Sequence, residues 1–289
     1  MTQKRCIVEI KGGFGNQLFQ YNFANYLKSQ GLKVKVSNTF YQELDKNSNL
    51  TLREEVLTSK IFGFKNISLI EKWLLKFLKK LNDSKKIQTI IPFFKDSFYK
   101  YYKDNDFNLL AINQPISQFD GYWQDIKYLK TDITYLKNCL EKIPEIKNSL
   151  DKKPPKESFM IIIRRGDYVE MKQELSLNFY EKCFEIIEKT SNNPIINVFT
   201  DDITWVKNQK LFKNVNKIYG PEKEPKKILT LFSKMINHEN YFVCNSTFSF
   251  FAALIGSTKN SEIFIADPWF RNRESKNLSF KNWKKIKNS

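Results

Sequence analysis

The stretch Cys6-Ile7-Val8-Glu9-Ile10-Lys11-Gly12-Gly13-Phe14-Gly15-Asn16-Gln17 decides the fold class. It begins as a short apolar run and ends in a glycine-rich turn. Apolar residues then recur at the spacing of one helix face, at Phe19, Phe23, Tyr26 and Leu27. Gly31 ends that pattern, and Val34 and Val36 alternate in a second short strand. The order strand, helix, strand predicts a βαβ unit and therefore a parallel sheet.

A second series of α/β elements is predicted after Pro154 and Pro155, which disfavour the interiors of both helices and strands. Beyond these prolines, apolar runs predict strands at 159–163, 195–199, 241–243 and 263–266. Helical spacing predicts helices around 180–187, 226–236 and 250–255. We therefore expect an α/β protein with two Rossmann-type domains, residues 1–153 and 154–289.

Composition limits the class of protein. A hydrophobic fraction of 41% and an aromatic fraction of 15% exclude a disordered chain. The net charge of +17 indicates an anionic partner, such as nucleotide phosphates, a lipid-linked acceptor, an acidic membrane surface or nucleic acid. Four scattered cysteines without CxxC spacing, and the absence of a leader pattern, predict a cytoplasmic protein.

The chain contains one histidine, His238, which excludes histidine-rich zinc sites and argues against a Ser-His-Asp triad. Because its neighbours are polar or charged, we expect His238 on the surface.

The glycine-rich turn is the first candidate binding site. Glycines allow backbone N–H groups to approach a phosphate or a sugar that a Cβ atom would exclude. The turn matches neither GxGxxG nor a Walker A motif, and a purely structural turn is the alternative.

A second candidate is Ile162-Ile163-Arg164-Arg165-Gly166-Asp167-Tyr168, where two arginines end an apolar strand. Open α/β sheets bind ligands at the carboxyl ends of their strands. Because side chains alternate across a strand, we expect one arginine to bind a diphosphate and the other to be structural, paired with Asp167. The alternative is a pair of arginines held only by salt bridges.

Asp201 and Asp202 likewise follow an apolar strand. A carboxylate there is suited to a guanine edge or a ribose hydroxyl, and the alternative is an Asp cap on the next helix. Asp104-Asn105-Asp106 formally matches a metal-binding DxD motif, but no apolar strand precedes it, so we interpret these residues as a solvated turn.

Asn245, Ser246 and Thr247 open an apolar helix that continues through Phe248. Hydroxyl groups and helix N-terminal N–H groups there favour negative charge, which predicts a phosphate site. Simple N-capping is the alternative.

One segment has a membrane-binding pattern. Apolar residues recur at helical spacing at Ile67, Ile70, Leu74, Phe77, Leu78 and Leu81, with Trp73 alongside and lysines at 72, 76, 79 and 80. The alternative is an ordinary helix packed on its own domain. The basic run 281–287 would add attraction to an anionic surface or form a solvated tail.

Five ordered segments resemble the bacterial α-1,2-fucosyltransferase family. They are residues 12–21, Gly121-Tyr122-Trp123-Gln124, Arg164-Arg165-Gly166-Asp167-Tyr168, Phe199-Thr200-Asp201-Asp202 and Asn245-Ser246-Thr247-Phe248-Ser249.

The resemblance implies a GT-B-like enzyme whose two Rossmann-type domains face a central cleft, with GDP-fucose as donor and no metal or other cofactor. It implies that Arg164, Arg165, Asp167 and Asn16 act at the reacting centre. The implied donor-binding residues are Gly13, Gly15, Arg164, Asp201, Asp202, Asn245, Ser246, Thr247 and Phe248. The implied acceptor-binding residues are Gln17, Tyr122, Trp123 and Gln124.

Two departures concern donor recognition. Ile162 stands where the family usually has a histidine, and Phe250-Phe251 stand where two tryptophans are usual. The missing histidine leaves Asp167, Glu170 or the departing phosphate as the proton acceptor.

The expected reaction is inverting transfer of L-fucose to a hydroxyl, O2 in our prediction, of a galactose-containing oligosaccharide or lipid-linked glycan in bacterial surface polysaccharide synthesis. The alternatives are a fucosyltransferase of another linkage or an enzyme using another nucleotide sugar. A basic nucleic-acid-binding protein is the remote alternative. Two observations argue against it: the positive residues are dispersed along the chain, and the sequence contains no recognised nucleic-acid-binding motif. We expect no nucleic-acid partner, and peripheral contact with the anionic inner membrane.

Overall fold

The computed structural model describes residues 4–43, 54–84, 98–104, 109, 112–129, 133–222, 224–271 and 278–288. The chain divides into two compact units, Met1–Asp132 and Ile133–Ser289. The division lies earlier than the boundary expected at 153/154, because the helices that precede the two prolines belong to the second unit.

The first unit is a parallel α/β sheet in its described residues. Its elements are β1 (Arg5–Glu9), α1 (Phe14–Ser29), β2 (Lys33–Ser37), α2 (Thr39–Glu43), α3 (Leu69–Asp83), β3 (Tyr99–Lys103) and β4 (Ile116–Asp120). The described strands are ordered β2-β1-β4-β3, and every pairing is parallel. The predicted βαβ unit is therefore present, and Gly31 ends its helix with a φ of +78° that favours glycine.

The second unit contains a larger parallel sheet. Its elements are α4 (Ile133–Leu140), α5 (Pro144–Leu150), β5 (Ser158–Ile163), α6 (Gly166–Glu170), α7 (Leu177–Thr190), β6 (Ile195–Thr200), α8 (Ile203–Asn208), β7 (Lys217–Tyr219), α9 (Pro225–Met235), β8 (Asn240–Val243), α10 (Thr247–Gly256), β9 (Ile263–Asp267) and β10 (Lys284–Lys287). Helix α5 packs against α9, which explains why residues before the prolines group with this unit.

The strand order β10-β9-β8-β5-β6-β7 creates a switch point in the second sheet. The chain runs outward from β5 through β6 and β7, then returns to the other side of β5 as β8. Ligands of doubly wound sheets bind outside the carboxyl ends of the strands at such a point. The fold thus marks the ends of β5 and β8, and the α/β, Rossmann-type prediction is confirmed in both units.

Two predictions from local sequence are wrong. His238 is 3% exposed. Its Nδ1 lies 3.0 Å from the Met235 carbonyl oxygen, and its Nε2 lies 2.9 Å from Asn197 Nδ2. Polar neighbours concealed a buried position whose hydrogen bonds are made inside the protein. The basic run 281–287 is not a solvated tail, because β10 pairs with β9 and buries Ile286.

None of the helices in the described parts of the chain is both long and apolar enough to cross a bilayer.

Candidate active site

Arg164 and Arg165 lie just beyond the end of β5 and are bound to carboxylates of α6 and of the segment that follows β6. The Arg164 guanidinium bridges Asp167 of α6 and Asp201 beyond β6. Arg165 donates its backbone N–H to Asp201 Oδ1 at 2.8 Å and its Nε–H to Asp202 Oδ2 at 3.2 Å. The predicted pairing of an arginine with Asp167 is present, and it involves Arg164.

The two guanidinium groups are also supported by aromatic rings. Arg165 lies over the Trp205 ring, 4.3 Å from its centroid, and Arg164 lies 5.3 Å from the centroid of Tyr168. Such contacts hold a cation while leaving its edge open to further hydrogen bonds. Trp205 was not among the predicted site residues, although an aromatic residue near the start of the helix after Asp202 was available as a signal.

Asp201 and Asp202 have different structural roles. Asp202 is the N-cap of α8, because its Oδ1 accepts the Trp205 N–H at 2.9 Å, so the capping alternative describes part of its role. Asp201 binds the Arg164 guanidinium and the Arg165 backbone N–H. Gly166 is required beside it, since a Cβ atom at that position would lie 2.8 Å from Asp201 Oδ2. A role of either carboxylate toward a guanine or a ribose stays a prediction.

The residues after β8 form the other side of the switch point. Asn245 is 1% exposed; its Nδ2 donates to the Gln173 carbonyl oxygen, while its buried Oδ1 has no hydrogen-bond partner among the described residues. Ser246 is the N-cap residue of α10 but makes no side-chain capping bond. A helix N-terminus carries partial positive charge. Simple capping therefore does not explain this serine, and the position suits an anion.

A hydrogen bond joins the two sides of this candidate site. The Tyr168 hydroxyl donates to the Asn245 carbonyl oxygen at 2.9 Å. Gln173, which is 2% exposed, accepts the Arg271 N–H at 3.1 Å through its side chain. Gln173 carries no recognisable sequence signal, since its role depends on burial beside two distant segments. The arginines, Asp167, Asp201, Asp202 and Asn245–Phe248 thus belong to one end of one sheet.

The two family departures lie in the apolar interior. Ile162 is 6% exposed within β5, and Phe250 and Phe251 are fully buried in α10. Phe250 packs near Trp269, Phe280 and Trp283. These three positions build the core beneath the site rather than its polar surface.

The predicted acceptor residues, and also Gly13 and Gly15 of the predicted donor-binding set, lie in the first unit, at the ends of β1 and β4. The glycine-rich turn is shorter than predicted, because α1 begins at Phe14 and contains Gly15, Asn16 and Gln17, with Gly13 as its N-cap. Gly12 has a φ of +77°, and a Cβ atom there would lie 2.9 Å from Asn16 Nδ2 and 3.0 Å from the Tyr122 ring. A glycine is needed at this turn for both reasons.

Two of the predicted acceptor residues are internal. Gln17 is fully buried; its Nε2 donates to the Gly12 and Glu54 carbonyl oxygens, and its Oε1 accepts from the Val56 and Leu57 N–H groups at 3.1 and 2.9 Å. Trp123 is 3% exposed and stacks on Phe23 at 4.3 Å. Neither side chain presents a surface to a ligand in this structure, because each is occupied in supporting the turn.

Tyr122, Gln124 and Asn16 remain at the surface of this region. Tyr122 is 36% exposed, with Lys11 Nζ 5.2 Å from its ring centroid. Gln124 Nε2 donates to Asn16 Oδ1 at 2.8 Å. A partly exposed tyrosine with neighbouring amide groups is suited to binding a sugar, which combines an apolar ring face with several hydroxyl groups.

Asp104 supports the same turn and is not a solvated residue. Its carboxylate accepts the N–H groups of Tyr122 and Trp123 at 2.7 and 2.8 Å, and a Cβ atom on Gly121 would collide with it. The sequence concealed this role because the contact spans 18 residues. Asn105 and Asp106, the rest of the formal DxD motif, lie outside the described residues.

Burial and hydrogen bonding oppose each other at Asp120, which ends β4. Burial by itself would raise the pKa of Asp120, but hydrogen bonds from Lys11 and Tyr101 lower it below its usual value. Asp120 is therefore held as an anion that fixes Lys11. Within the part of the chain described, no group of three or more His, Cys, Asp or Glu side chains is arranged to hold a metal ion.

Comparison with known proteins identifies the family. The model of glycosyl transferase family 11 matches residues 6–287. The chain is 25% identical over 300 residues to an alpha-1,2-colitosyltransferase of Escherichia coli, covering 93% of both chains. It is 29% identical over 131 residues to the O-antigen biosynthesis glycosyltransferase WbnK of Escherichia coli, covering 42% of each.

Among solved structures, the chain is similar to a variant of Arabidopsis thaliana FUT1 in complex with GDP, with a TM-score of 0.49, 11% identity, and coverage of 88% of this chain and 68% of that one. The match of the family model over nearly the whole sequence shows that this chain belongs to glycosyl transferase family 11.

Proposed function

We propose that this glycosyltransferase moves L-fucose from GDP-fucose to O2 of a galactose-containing glycan, with inversion at the anomeric carbon, in the synthesis of bacterial surface polysaccharide. The observation that carries this proposal is the switch point of the second sheet, where arginines follow β5 and an uncapped helix N-terminus follows β8. Both groups favour a diphosphate.

The arginines would act on the departing nucleotide. As the glycosidic bond to the donor breaks, negative charge develops on the diphosphate and positive charge on the sugar. Arg164 is held by two carboxylates and Arg165 by one, so both are oriented before the donor binds. A guanidinium has more N–H donors than these pairings use, and the remaining ones are available to phosphate oxygens. Such prepositioned donors lower the barrier without reorganisation.

We further propose that the reaction needs no metal, because the arginines and the N-terminus of α10 supply the positive charge that a metal would otherwise provide. Asp167 is engaged by Arg164, which favours Glu170 or the departing phosphate as the acceptor of the hydroxyl proton. Full turnover in EDTA is the expected result. Loss of turnover that Mg²⁺ or Mn²⁺ restores would contradict this part of the proposal.

On the acceptor side, we propose that Tyr122, Gln124 and Asn16 contact the glycan. Tyr122 provides an exposed ring for a sugar face, and the paired amides of Gln124 and Asn16 provide hydrogen-bonding groups. The four buried free cysteines among the described residues are consistent with our proposal that the enzyme works in the cytoplasm.

A second donor is favoured by one relative. The E. coli relative that aligns over 93% of this chain is named as an alpha-1,2-colitosyltransferase, and colitose is L-fucose without its 3-hydroxyl group. GDP-colitose is therefore the specific alternative to GDP-fucose. The α-1,2 linkage in that name supports O2 as the acceptor atom.

The test is a donor panel measured in two ways. Thermal unfolding with GDP, UDP, GDP-fucose, GDP-colitose and UDP-galactose reports binding, because a ligand stabilises the native state by mass action. Sugar transfer to lactose or lacto-N-biose then reports turnover. Stabilisation by GDP and transfer of fucose support the proposal. Transfer of colitose but not of fucose would identify GDP-colitose, instead of GDP-fucose, as the donor. Stabilisation by UDP but not by GDP would contradict the proposal.

A further inference from the structure

Helix α3 exposes an apolar face, which we call the α3 stripe. It consists of five side chains whose exposed fractions are 74% for Leu69, 81% for Ile70, 74% for Trp73, 42% for Leu74 and 58% for Phe77. A contiguous set of large exposed apolar side chains on one element is unusual in a soluble domain and marks an interaction surface. The sequence alone did not separate this arrangement from an ordinary packed helix.

The helix packs on its sheet with a different face. Leu75 and Leu78 are buried against Ile7, Tyr99 and Ile116. At about 100° per residue, Leu75 and Leu78 lie on the side of α3 away from the centre of the α3 stripe. Of the apolar positions predicted from the helical spacing, Ile70, Leu74 and Phe77 are therefore not part of the core. The alternative that the predicted apolar positions pack on their own domain holds for Leu78 and for the partly buried Ile67.

The helix is also fixed at its first turn without help from the α3 stripe. Ser68 and Glu71 form a capping box, and Glu71 accepts a salt bridge from Lys35 at 2.6 Å. The exposed side chains are thus not needed to form or dock the helix.

Lysines border the α3 stripe along one side. Lys72, Lys76 and Lys79 occupy the helix positions between its Leu69 edge and the buried face, and Lys80 lies along that edge, between the directions of Leu69 and Trp73. Lys76 and Lys80 are exposed; Lys79 donates to the Tyr101 hydroxyl at 3.1 Å and Lys72 donates to Gln42 Oε1 at 3.3 Å. Long lysine side chains beside an apolar face can reach anionic groups while that face is buried.

The positive charge beside the α3 stripe favours a membrane, rather than a second copy of the chain, as its binding partner. A symmetric contact between two copies would bring these lysines together in a protein whose net charge is already +17, which is unfavourable. A bilayer with anionic headgroups meets both requirements, since its acyl chains accept the apolar side chains and its headgroups accept the lysines. Tryptophan, here Trp73, favours the boundary between the two layers.

We propose that the α3 stripe and its bordering lysines are the surface by which this enzyme docks on an anionic lipid bilayer. The helix lies in the plane of the membrane surface, with Trp73 and Phe77 inserted among the upper acyl chains and Lys76 and Lys80 at the headgroups. This surface lies entirely in the first unit and includes none of the residues proposed to bind donor or acceptor.

The experiment is co-sedimentation of the full chain with vesicles of phosphatidylethanolamine and phosphatidylglycerol, and with vesicles of phosphatidylcholine alone. We expect binding to the anionic vesicles that weakens as salt is raised. The double variant Trp73→Ser/Phe77→Ser should lose about 100-fold or more in affinity, because two large apolar side chains no longer leave water. Lys76→Ser/Lys80→Ser should lose about 30-fold on anionic vesicles, at about fivefold for each lysine.

A matched control removes the same charge elsewhere. Lys210 and Lys213 are exposed in the second unit, and Lys210→Ser/Lys213→Ser should leave vesicle binding within about twofold of wild type. All three variants should retain the far-ultraviolet circular dichroism of wild type and its turnover on a water-soluble acceptor. Retained turnover separates a failure of docking from a failure of the proposed glycosyl transfer.

Several results would overturn the docking proposal. Wild-type binding that is equal on phosphatidylcholine would remove the anionic requirement, and unchanged binding by Trp73→Ser/Phe77→Ser would remove the α3 stripe. Absence of vesicle binding together with a dimer in light scattering that Trp73→Ser/Phe77→Ser dissociates would assign the surface to a second copy of the chain.

Discussion

The ends of β5 and β1 carry polar motifs that look alike in sequence and differ in structure. After β5, Arg164 and Arg165 stay half-buried at the end of the sheet and are oriented by carboxylates. After β1, the Gln17 side chain is buried, and both its amide nitrogen and its amide oxygen are hydrogen-bonded to backbone groups. Polar residues after an apolar strand therefore mark a special position, but only the contacts show whether they orient a charge or support a turn.

Of the substitutions that test this difference between the two strand ends, those at the arginines after β5 should have the largest effect, and the effect should be on catalysis. Arg164→Ala removes a prepositioned donor, and turnover should fall by about 10²–10³, equivalent to about 3–4 kcal/mol in the barrier, while the fold is retained. Steady-state kinetics with GDP-fucose and thermal unfolding measure the two properties. Arg164→Lys, which keeps the charge but loses the fork geometry, should recover only part of the rate. Near-wild-type turnover of Arg164→Ala and Arg165→Ala alike would remove the arginines from the mechanism.

The opposite end of the second sheet should respond in stability. Burial lowers the pKa of His238 from 6.5 to about 4. The imidazole of His238 therefore binds a proton less readily in the folded state than in the unfolded state. The stability that neutral His238 contributes is complete above about pH 6.5 and is lost as pH falls toward 4. The expected loss is about 3 kcal/mol, at about 1.4 kcal/mol for each pKa unit.

Urea unfolding between pH 7 and pH 4 measures this loss, with His238→Gln as the control. The variant is expected to be less stable at pH 7 but to have a shallower dependence on pH. An equally steep dependence in the variant would show that carboxylates, and not His238, control acid stability.

The first unit should lose stability when its turn is broken. Gln17→Met preserves the length of the side chain but removes its four hydrogen bonds to the Gly12 and Glu54 carbonyl oxygens and to the Val56 and Leu57 N–H groups. Of these backbone groups, the Gly12 carbonyl oxygen keeps the Tyr41 hydroxyl as a donor. We expect the free energy of unfolding to fall by about 2–3 kcal/mol, measured in urea. The KM for GDP-fucose should be unchanged, and a raised donor KM with unaltered stability would mean that Gln17 contacts the donor.

The smallest expected effect is at Asp104. Asp104→Ala leaves the N–H groups of Tyr122 and Trp123 without their acceptor and should cost about 1–2 kcal/mol in stability. Because Tyr122 is then less well positioned, the KM for the acceptor should rise more than kcat falls. Asp104→Asn should restore much of both properties, since an amide oxygen can accept one of the two bonds. Equal changes in kcat and KM would argue against a positioning role.

Regular periodicity made much of the fold predictable from the sequence. The strands β1, β5, β6, β8 and β9 are short apolar runs with clear ends, and α7 and α9 show one buried face. Helix α1 was predicted from its apolar spacing, although it is buried on all sides from Gln17 to Ala24. The strands β3, β4, β7 and β10 were not predicted, because residues such as Tyr99–Lys103 and Lys284–Lys287 mix lysine with apolar residues. Their strand character depends on parallel partners that are distant in the chain.

The candidate site was predictable to a similar degree. Residues after apolar strands were identified because strand ends are visible in the sequence, which gave Arg164, Asp201 and Ser246. Contacts between segments far apart, such as Gln173 with Arg271 and Asp104 with Trp123, leave no local pattern. The same reason explains His238, which is buried against Asn197 and Phe199 of β6, about 40 residues earlier in the chain.

The docking proposed for the exposed face of α3 would affect how fast the enzyme meets a lipid-linked acceptor. A protein held on a bilayer searches for a lipid-linked glycan in two dimensions, and their encounter is governed by an effective local concentration instead of the bulk one. Turnover on a short soluble sugar would then understate the rate on the membrane. Removal of Trp73 and Phe77 would slow only the membrane-bound reaction.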